Sequence, residues 1–136
     1  MEKSKKKIAI VVSENSLDKA MMPMILATSG IALDAEVHVF FTFWGLELLK
    51  KNYKPKLKGI MKPFTGMMVK KMKEQNISSF EELRSQCIEL GAKFYACSTS
   101  MAMMGIKEDD LIDGVQISGA TKFLKIALNA DTTLFI

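Results

Sequence analysis

The run Lys7-Ile-Ala-Ile-Val-Val12 is apolar at every position after its lysine, and four of those five residues are β-branched. A strand with one wet face alternates apolar and polar residues. An unbroken run must be covered on both faces, which calls for a parallel sheet between helices. Residues 36–43 (Glu-Val-His-Val-Phe-Phe-Thr-Phe) read as a second strand of the same kind. Between the two, Ala20, Met24, Ala27 and Ile31 recur at helical spacing, as a core face does. Strand, helix and strand make a βαβ unit. Ser16 is placed to cap the helix, with Asp18 in its first turn and an end near Leu33. Pro23 either kinks this helix or lies in the first turn of one that begins near Met22.

The alternation continues. Trp44-Gly45 turns the chain and residues 46–51 form a short helix. Pro55, Gly59, Pro63 and Gly66 break the next stretch, so residues 52–66 read as an irregular excursion and residues 66–75 as an amphipathic helix. Ser79-Phe-Glu-Glu82 has capping-box spacing ahead of a helix whose core face is Phe80, Leu83, Cys87 and Leu90, ended by Gly91. Residues 92–96 are a third strand, 98–105 a helix turn, 108–113 a short helix and 115–117 a fourth strand. A last helix with Ala120, Phe123, Leu124, Ala127 and Leu128 on one stripe leads to a final strand at 132–136. The expectation is one α/β domain over residues 1–136. It is a three-layer α/β/α arrangement around five mostly parallel strands, with an insertion at about 52–75. Strand order is left open.

Charge separates the insertion from the rest. Residues 1–49 carry five Lys and six acids, residues 75–136 five Lys or Arg and eight acids, but residues 50–74 carry nine Lys and one acid. The basic character belongs to this one segment. A solvated loop is its default reading; docking of an acidic partner or of anionic lipid is the sharper one, with Phe64, Met67 and Met68 as apolar contacts. Nucleic acid is disfavoured, because the segment has Lys without Arg and few aromatics. No run reaches the roughly 20 apolar residues of a spanning helix. Two cysteines are too few for a disulfide framework and no secretory pattern opens the chain, so the expected setting is a reducing cytoplasm, with contact at the membrane periphery through residues 50–74.

The residue placed for chemistry is Cys97, at the carboxyl end of the third strand and just before a helix turn, where α/β folds bind and react. Backbone N–H groups there favour the thiolate, the nucleophilic form. Ser98, Thr99 and Ser100 supply hydroxyls and Met101 a soft neighbour. Glu14 and Asn15, after the first strand on the same sheet edge, are candidates to line the pocket, Glu14 as a proton acceptor. Cys87 reads as a core residue. Three residues of helix and six of strand put it more than about 10 Å from Cys97 along the strand, beyond disulfide reach. His38, the single histidine, reads as a packed or surface strand residue. No metal-ligand spacing occurs, and neither metal nor organic cofactor is expected.

Two blocks go further than fold class. Leu17-Asp-Lys-Ala20 is followed after the helix by Phe40-Phe-Thr-Phe-Trp-Gly-Leu46. Later come Ala96-Cys-Ser-Thr-Ser-Met101, Met104-Gly-Ile106, Leu111-Ile-Asp-Gly-Val115 and Leu134-Phe-Ile136. In that order and spacing the chain, from Lys7 to Ile136, resembles the DsrE/DsrF-like family of small sulfur-relay proteins. It is most similar to the DsrE-like branch with a Lys/Met-rich insertion, sometimes labelled peroxiredoxin-like. The resemblance implies a parallel α/β/α fold and a homo-oligomer. It also implies a persulfide carrier or sulfurtransferase that takes sulfane sulfur on Cys97 and passes it to a partner thiol. Partners would be sulfur donor and acceptor proteins or low-molecular-weight persulfides. The competing reading is a non-catalytic adaptor at a membrane or protein assembly, working through the basic Lys/Met segment.

Overall fold

The computed structural model describes residues 5–136; the lysine-rich opening lies partly outside them, at residues 1–4. Five parallel strands, β1 (Lys7–Val12), β2 (Glu36–Phe41), β3 (Lys93–Cys97), β4 (Val115–Ser118) and β5 (Thr132–Phe135), stand in the order β4-β3-β2-β1-β5. Helices α1 (Leu17–Ala32), α2 (Thr65–Glu74), α3 (Phe80–Glu89), α4 (Ser98–Met104) and α5 (Ala120–Ala127) connect them, with 3₁₀ turns at Phe43–Leu49, Gly59–Phe64 and Glu108–Asp110.

This order decides which helix covers which face. From β1 to β4 the chain steps in one direction across the sheet, and from β4 to β5 it returns to the far side of β1. Parallel crossovers keep one hand, so the return must run over the opposite face. The packing agrees. Val37, Val39, Phe41, Phe94 and Ala96 join Met24, Phe80, Cys87 and Met101 of α1, α3 and α4 in one core. The alternate residues Ala9, Phe40, Tyr95 and Cys97 join Phe123 of α5 in the other. Full burial of side chains such as Phe41, Phe80 and Phe94 stabilises by roughly 1.5–3 kcal/mol each. Among the described residues the second face has a single eight-residue helix over it, and Leu124, Leu128 and Phe135 remain exposed there.

Several local expectations change. α1 begins at Leu17 and runs unbroken through a buried Pro23, so the later start is excluded. The carbonyl that Pro23 leaves without a helical partner belongs to exposed Lys19, where water can take it. β2 stops at Phe41, two residues short of the expected end, because Thr42 turns off the sheet and Phe43 takes φ 48°. The excursion is less irregular than expected: it holds the turn Gly59–Phe64, and α2 follows directly. The capping box at Ser79 and Glu82 is present. On α3, Leu90 is exposed, and the buried place is taken by Arg84, whose Nη1 donates to the Leu48 carbonyl at 2.7 Å.

Candidate functional site

A parallel sheet opens a crevice where neighbouring strands send their following helices to opposite faces. Here α4 leaves β3 for the face of α1 and α3, while α5 leaves β4 for the other. The crevice therefore lies between the carboxyl ends of β3 and β4. Cys97 and Ser118 stand there side by side as register partners. Cys97 is the last residue of β3 and caps α4. A Cβ placed on Gly119 would come 3.8 Å from the Ser98 hydroxyl, which shows how closely the two loops approach.

On the β2 side, Phe41 pairs with Ala96, which brings Thr42 alongside Cys97. The Thr42 N–H donates to the Val12 carbonyl at 2.9 Å and its hydroxyl lies 2.9 Å from that of Ser100. Cys97 is 6% exposed. Burial is the largest influence on its thiol and raises the pKa. The Ser100 and Thr42 hydroxyls, paired with each other, and the Ser100 and Thr99 N–H groups together outweigh it, and the pKa falls below the ordinary thiol value. The charge is favoured by the polar groups that surround the sulfur more than by the helix as a whole, since α4 has only seven residues. Cys87 is the contrast. It is fully buried in the opposite core, its thiol faces the Met24 carbonyl at 3.6 Å, and burial alone pushes its pKa up to about 11. Both cysteines are free, and they pack on opposite faces of the sheet.

The expected pocket residues divide. Ser100 is 1% exposed and belongs to the thiol site; Thr99 contributes its N–H, and Ser98 stands at the crevice. Met101 does not line the thiol: one turn of α4 carries it into the core under α1 and α3. Glu14 and Asn15 also stand apart. They follow β1, two strands from β3 and so roughly 10 Å away. Glu14 pairs with Lys58, and Asn15 lines a cavity of about 720 Å³ with Lys54, Lys56, Lys58 and Lys62. Neither Glu14 nor Asn15 is among the groups that bond the thiol.

The use of Thr42 and the contacts of His38 are not legible in the sequence, although His38 itself is the packed strand residue that is one of its two readings. Thr42 was read as one more strand residue, and only its register beside Cys97 shows its use. His38 is buried, with Nδ1 2.8 Å from the Tyr95 hydroxyl and Nε2 2.8 Å from the Glu36 carboxylate. The hydrogen bond to His38 holds the Glu36 carboxyl below its usual range, against burial. This cluster fixes Tyr95, two residues before Cys97 on the same face, against Phe123. Among the described residues no group of three or more His, Cys, Asp and Glu is placed to hold a metal, and no helix is long and apolar enough to cross a membrane.

Fold and site together define a small parallel α/β protein with one hydrogen-bonded thiol at the crossing point of its sheet. The sequence profile of the DsrE/DsrF/DrsH-like family matches residues 4–66 and 57–135, and the chain belongs to that family. It is 37% identical to the sulfur carrier protein DsrE2 of Allochromatium vinosum, over 96% of this chain and 98% of that protein. It is 32% identical to the uncharacterized protein YrkE of Bacillus subtilis, over 100% of both chains. The ychN protein from E. coli has the same fold, with a TM-score of 0.67 at 17% identity over 96% of this chain and 99% of that one. So does the protein MTH1491 of Methanobacterium thermoautotrophicum, at 0.65 and 15%, with the same coverage.

Proposed function

We propose that the protein is a sulfur-relay protein that carries sulfane sulfur on Cys97 as a persulfide. The observation that carries this reading is the place of Cys97 at the carboxyl end of β3 beside the Thr42 and Ser100 hydroxyl pair, surroundings that favour the thiolate of a buried cysteine. Full-length similarity to a sulfur carrier supports it. In the loading step the Cys97 thiolate attacks the outer sulfur of a persulfide, R–S–SH. The S–S bond breaks, R–S⁻ leaves and takes up a proton, and Cys97 holds the sulfane sulfur. In the unloading step an acceptor thiolate attacks that outer sulfur and Cys97 leaves as thiolate. A depressed pKa serves both steps, since Cys97 is nucleophile in one and leaving group in the other. Cys87 lies in the other core and cannot resolve the persulfide within the chain, so the sulfur waits for a partner.

Intact-mass measurement after incubation with inorganic polysulfide tests the reading. Wild type and Cys87→Ser are expected to gain the mass of one sulfur atom, lost on reduction, and Cys97→Ser to gain none. A sulfur adduct that survives in Cys97→Ser, or no adduct in wild type, overturns it.

A second copy of the chain is proposed as the cover for the thinly protected face that leaves Leu124, Leu128 and Phe135 exposed. Sedimentation equilibrium is expected to give a multiple of the 15.2 kDa chain mass. Leu124→Glu with Leu128→Glu is expected to reduce it to the monomer. A wild-type monomer at micromolar concentration removes this part of the reading.

A further inference from the structure

The basic segment has a feature that a solvated loop does not need. No residue of the turn Gly59–Phe64 or of α2 is buried, although both elements are rich in large apolar side chains. Ile60 is 89% exposed and Met67 66%, and Met61, Phe64 and Met68 are each exposed by more than two-fifths. On α2 the side that meets the body does so loosely. Met72 is half-buried against the core, yet a cavity of about 440 Å³ remains between Val69 and Met72 on one side and Leu17 and Phe80 on the other. Lys62, Lys70 and Lys71 are interspersed with these residues along the chain, within a segment of nine lysines and one acid in a chain whose remainder is net negative.

We infer that residues 58–71 are a docking surface for an anionic lipid bilayer, with Ile60, Met61, Phe64 and Met67 entering the headgroup and upper acyl region and the lysines meeting lipid phosphates. Elements that bury nothing of their own, with apolar side chains interspersed among lysines, fit a peripheral interfacial anchor. Charge complementarity selects an anionic surface, since each lysine near one adds attraction that salt screens. The choice of lipid over an acidic protein rests on two observations. The apolar side chains are exposed on elements that bury none of their residues; a fluid bilayer accepts such side chains without a matching pocket. The cations are all lysine, suited to a diffuse field of headgroups, whereas bidentate carboxylate recognition favours arginine.

The segment is also held in a defined place. The Leu17 N–H donates to the Lys56 carbonyl at 2.9 Å, Tyr53 Oη donates to the Asn15 carbonyl at 3.5 Å, and Lys58 pairs with Glu14. These ties bind it to the carboxyl end of β1, the same sheet edge that carries Cys97 at the end of β3. Docking would thus turn the thiol edge toward the membrane, where a sulfur partner held at the bilayer would meet it.

Vesicle co-sedimentation with the full chain decides. Phosphatidylcholine vesicles containing a quarter phosphatidylglycerol are expected to retain the protein, and pure phosphatidylcholine is not. Retention should fall steeply as salt is raised. Ile60→Ser with Phe64→Ser and Met67→Ser should lower it at least about tenfold, and Lys62→Glu with Lys70→Glu comparably. Circular dichroism of each variant confirms folding, and polysulfide loading of Cys97 should be unchanged, which separates failure here from failure of the sulfur-carrier reading. Absence of retention, equal retention on neutral vesicles, or retention indifferent to these substitutions overturns the inference. So does binding to polyglutamate without binding to vesicles, which would mark an acidic protein as the occupant.

Discussion

Gly45→Ala is expected to lower stability by at least about 3 kcal/mol, the upper end of what overpacking costs, and with it the melting temperature by roughly 10 °C. The reason is a close approach of backbone. A Cβ at Gly45 would lie 2.2 Å from the carbonyl oxygen of Val12 and 2.8 Å from its carbon. A flexible side chain could move aside, but a carbonyl at the end of a central strand cannot. Val12 O already accepts the Thr42 N–H at 2.9 Å, and the Gly45 N–H bonds the Thr42 carbonyl at 2.9 Å. The two bonds strap residues 42–45 across the ends of β1 and β2, and the strap forces Phe43 into the left-handed region. A methyl group at Gly45 pushes this strap off β1. Thr42 moves with it, so the molecules that remain folded should show slower reaction of Cys97 with iodoacetamide. Thermal unfolding followed by circular dichroism gives the first effect and alkylation kinetics the second. A melting temperature within about 2 °C of wild type would show that the strap yields freely and that glycine is not required there.

That strap also marks the limit of what could be read from the residues. Unbroken apolar runs placed β1 and β2, and the alternation of elements gave the layers, because local pattern and buried environment agree at those positions. The capping box at Ser79 was legible for the same reason: four residues, Ser79 to Glu82, contain the whole motif. Cys97 was legible because its position at the end of β3 follows from sequence order alone. Thr42 was not, since its value comes from lying beside Cys97, a contact set by the pairing of β2 with β3. Proximity along the chain places Met101 by the thiol, but the turn of α4 carries it into the opposite core. Glu14 and Asn15 share the sheet edge with Cys97, yet strand order, which the residues leave open, puts β2 between them. Arg84 was hidden by its charge: its burial is supported by the Leu48 carbonyl and by the Phe80 ring 5.3 Å away, neither visible as a pattern.

The hydroxyl pair beside the sulfur carries the other large expected effect. Thr42→Val combined with Ser100→Ala should slow alkylation of Cys97 at neutral pH by about tenfold or more, the weight of one charge-assisted hydrogen bond of roughly 1.5–3 kcal/mol. The two hydroxyls lie 2.9 Å apart, so one donates to the other and the second is left to donate to the sulfur. Removing the hydroxyl that faces the sulfur should show most of the loss, and removing its partner a smaller part. The backbone N–H groups of Thr99 and Ser100 remain, and burial then acts with less to oppose it. Cys87 shows the direction of travel, being a buried thiol in the same fold, without such donors, whose pKa is about 11. The sign is set by the depressed pKa of Cys97. Wild type forms thiolate at lower pH than the variant, so the rate deficit is greatest below the wild-type midpoint. It closes as pH rises through the variant's higher midpoint. Ser100→Thr, which keeps a hydroxyl, should recover part of the rate, whereas a merely structural role for the pair would leave the midpoint in place. If the folded double variant titrates Cys97 at the wild-type midpoint, the hydroxyls do not stabilise the thiolate. The backbone N–H groups alone would then have to hold the charge.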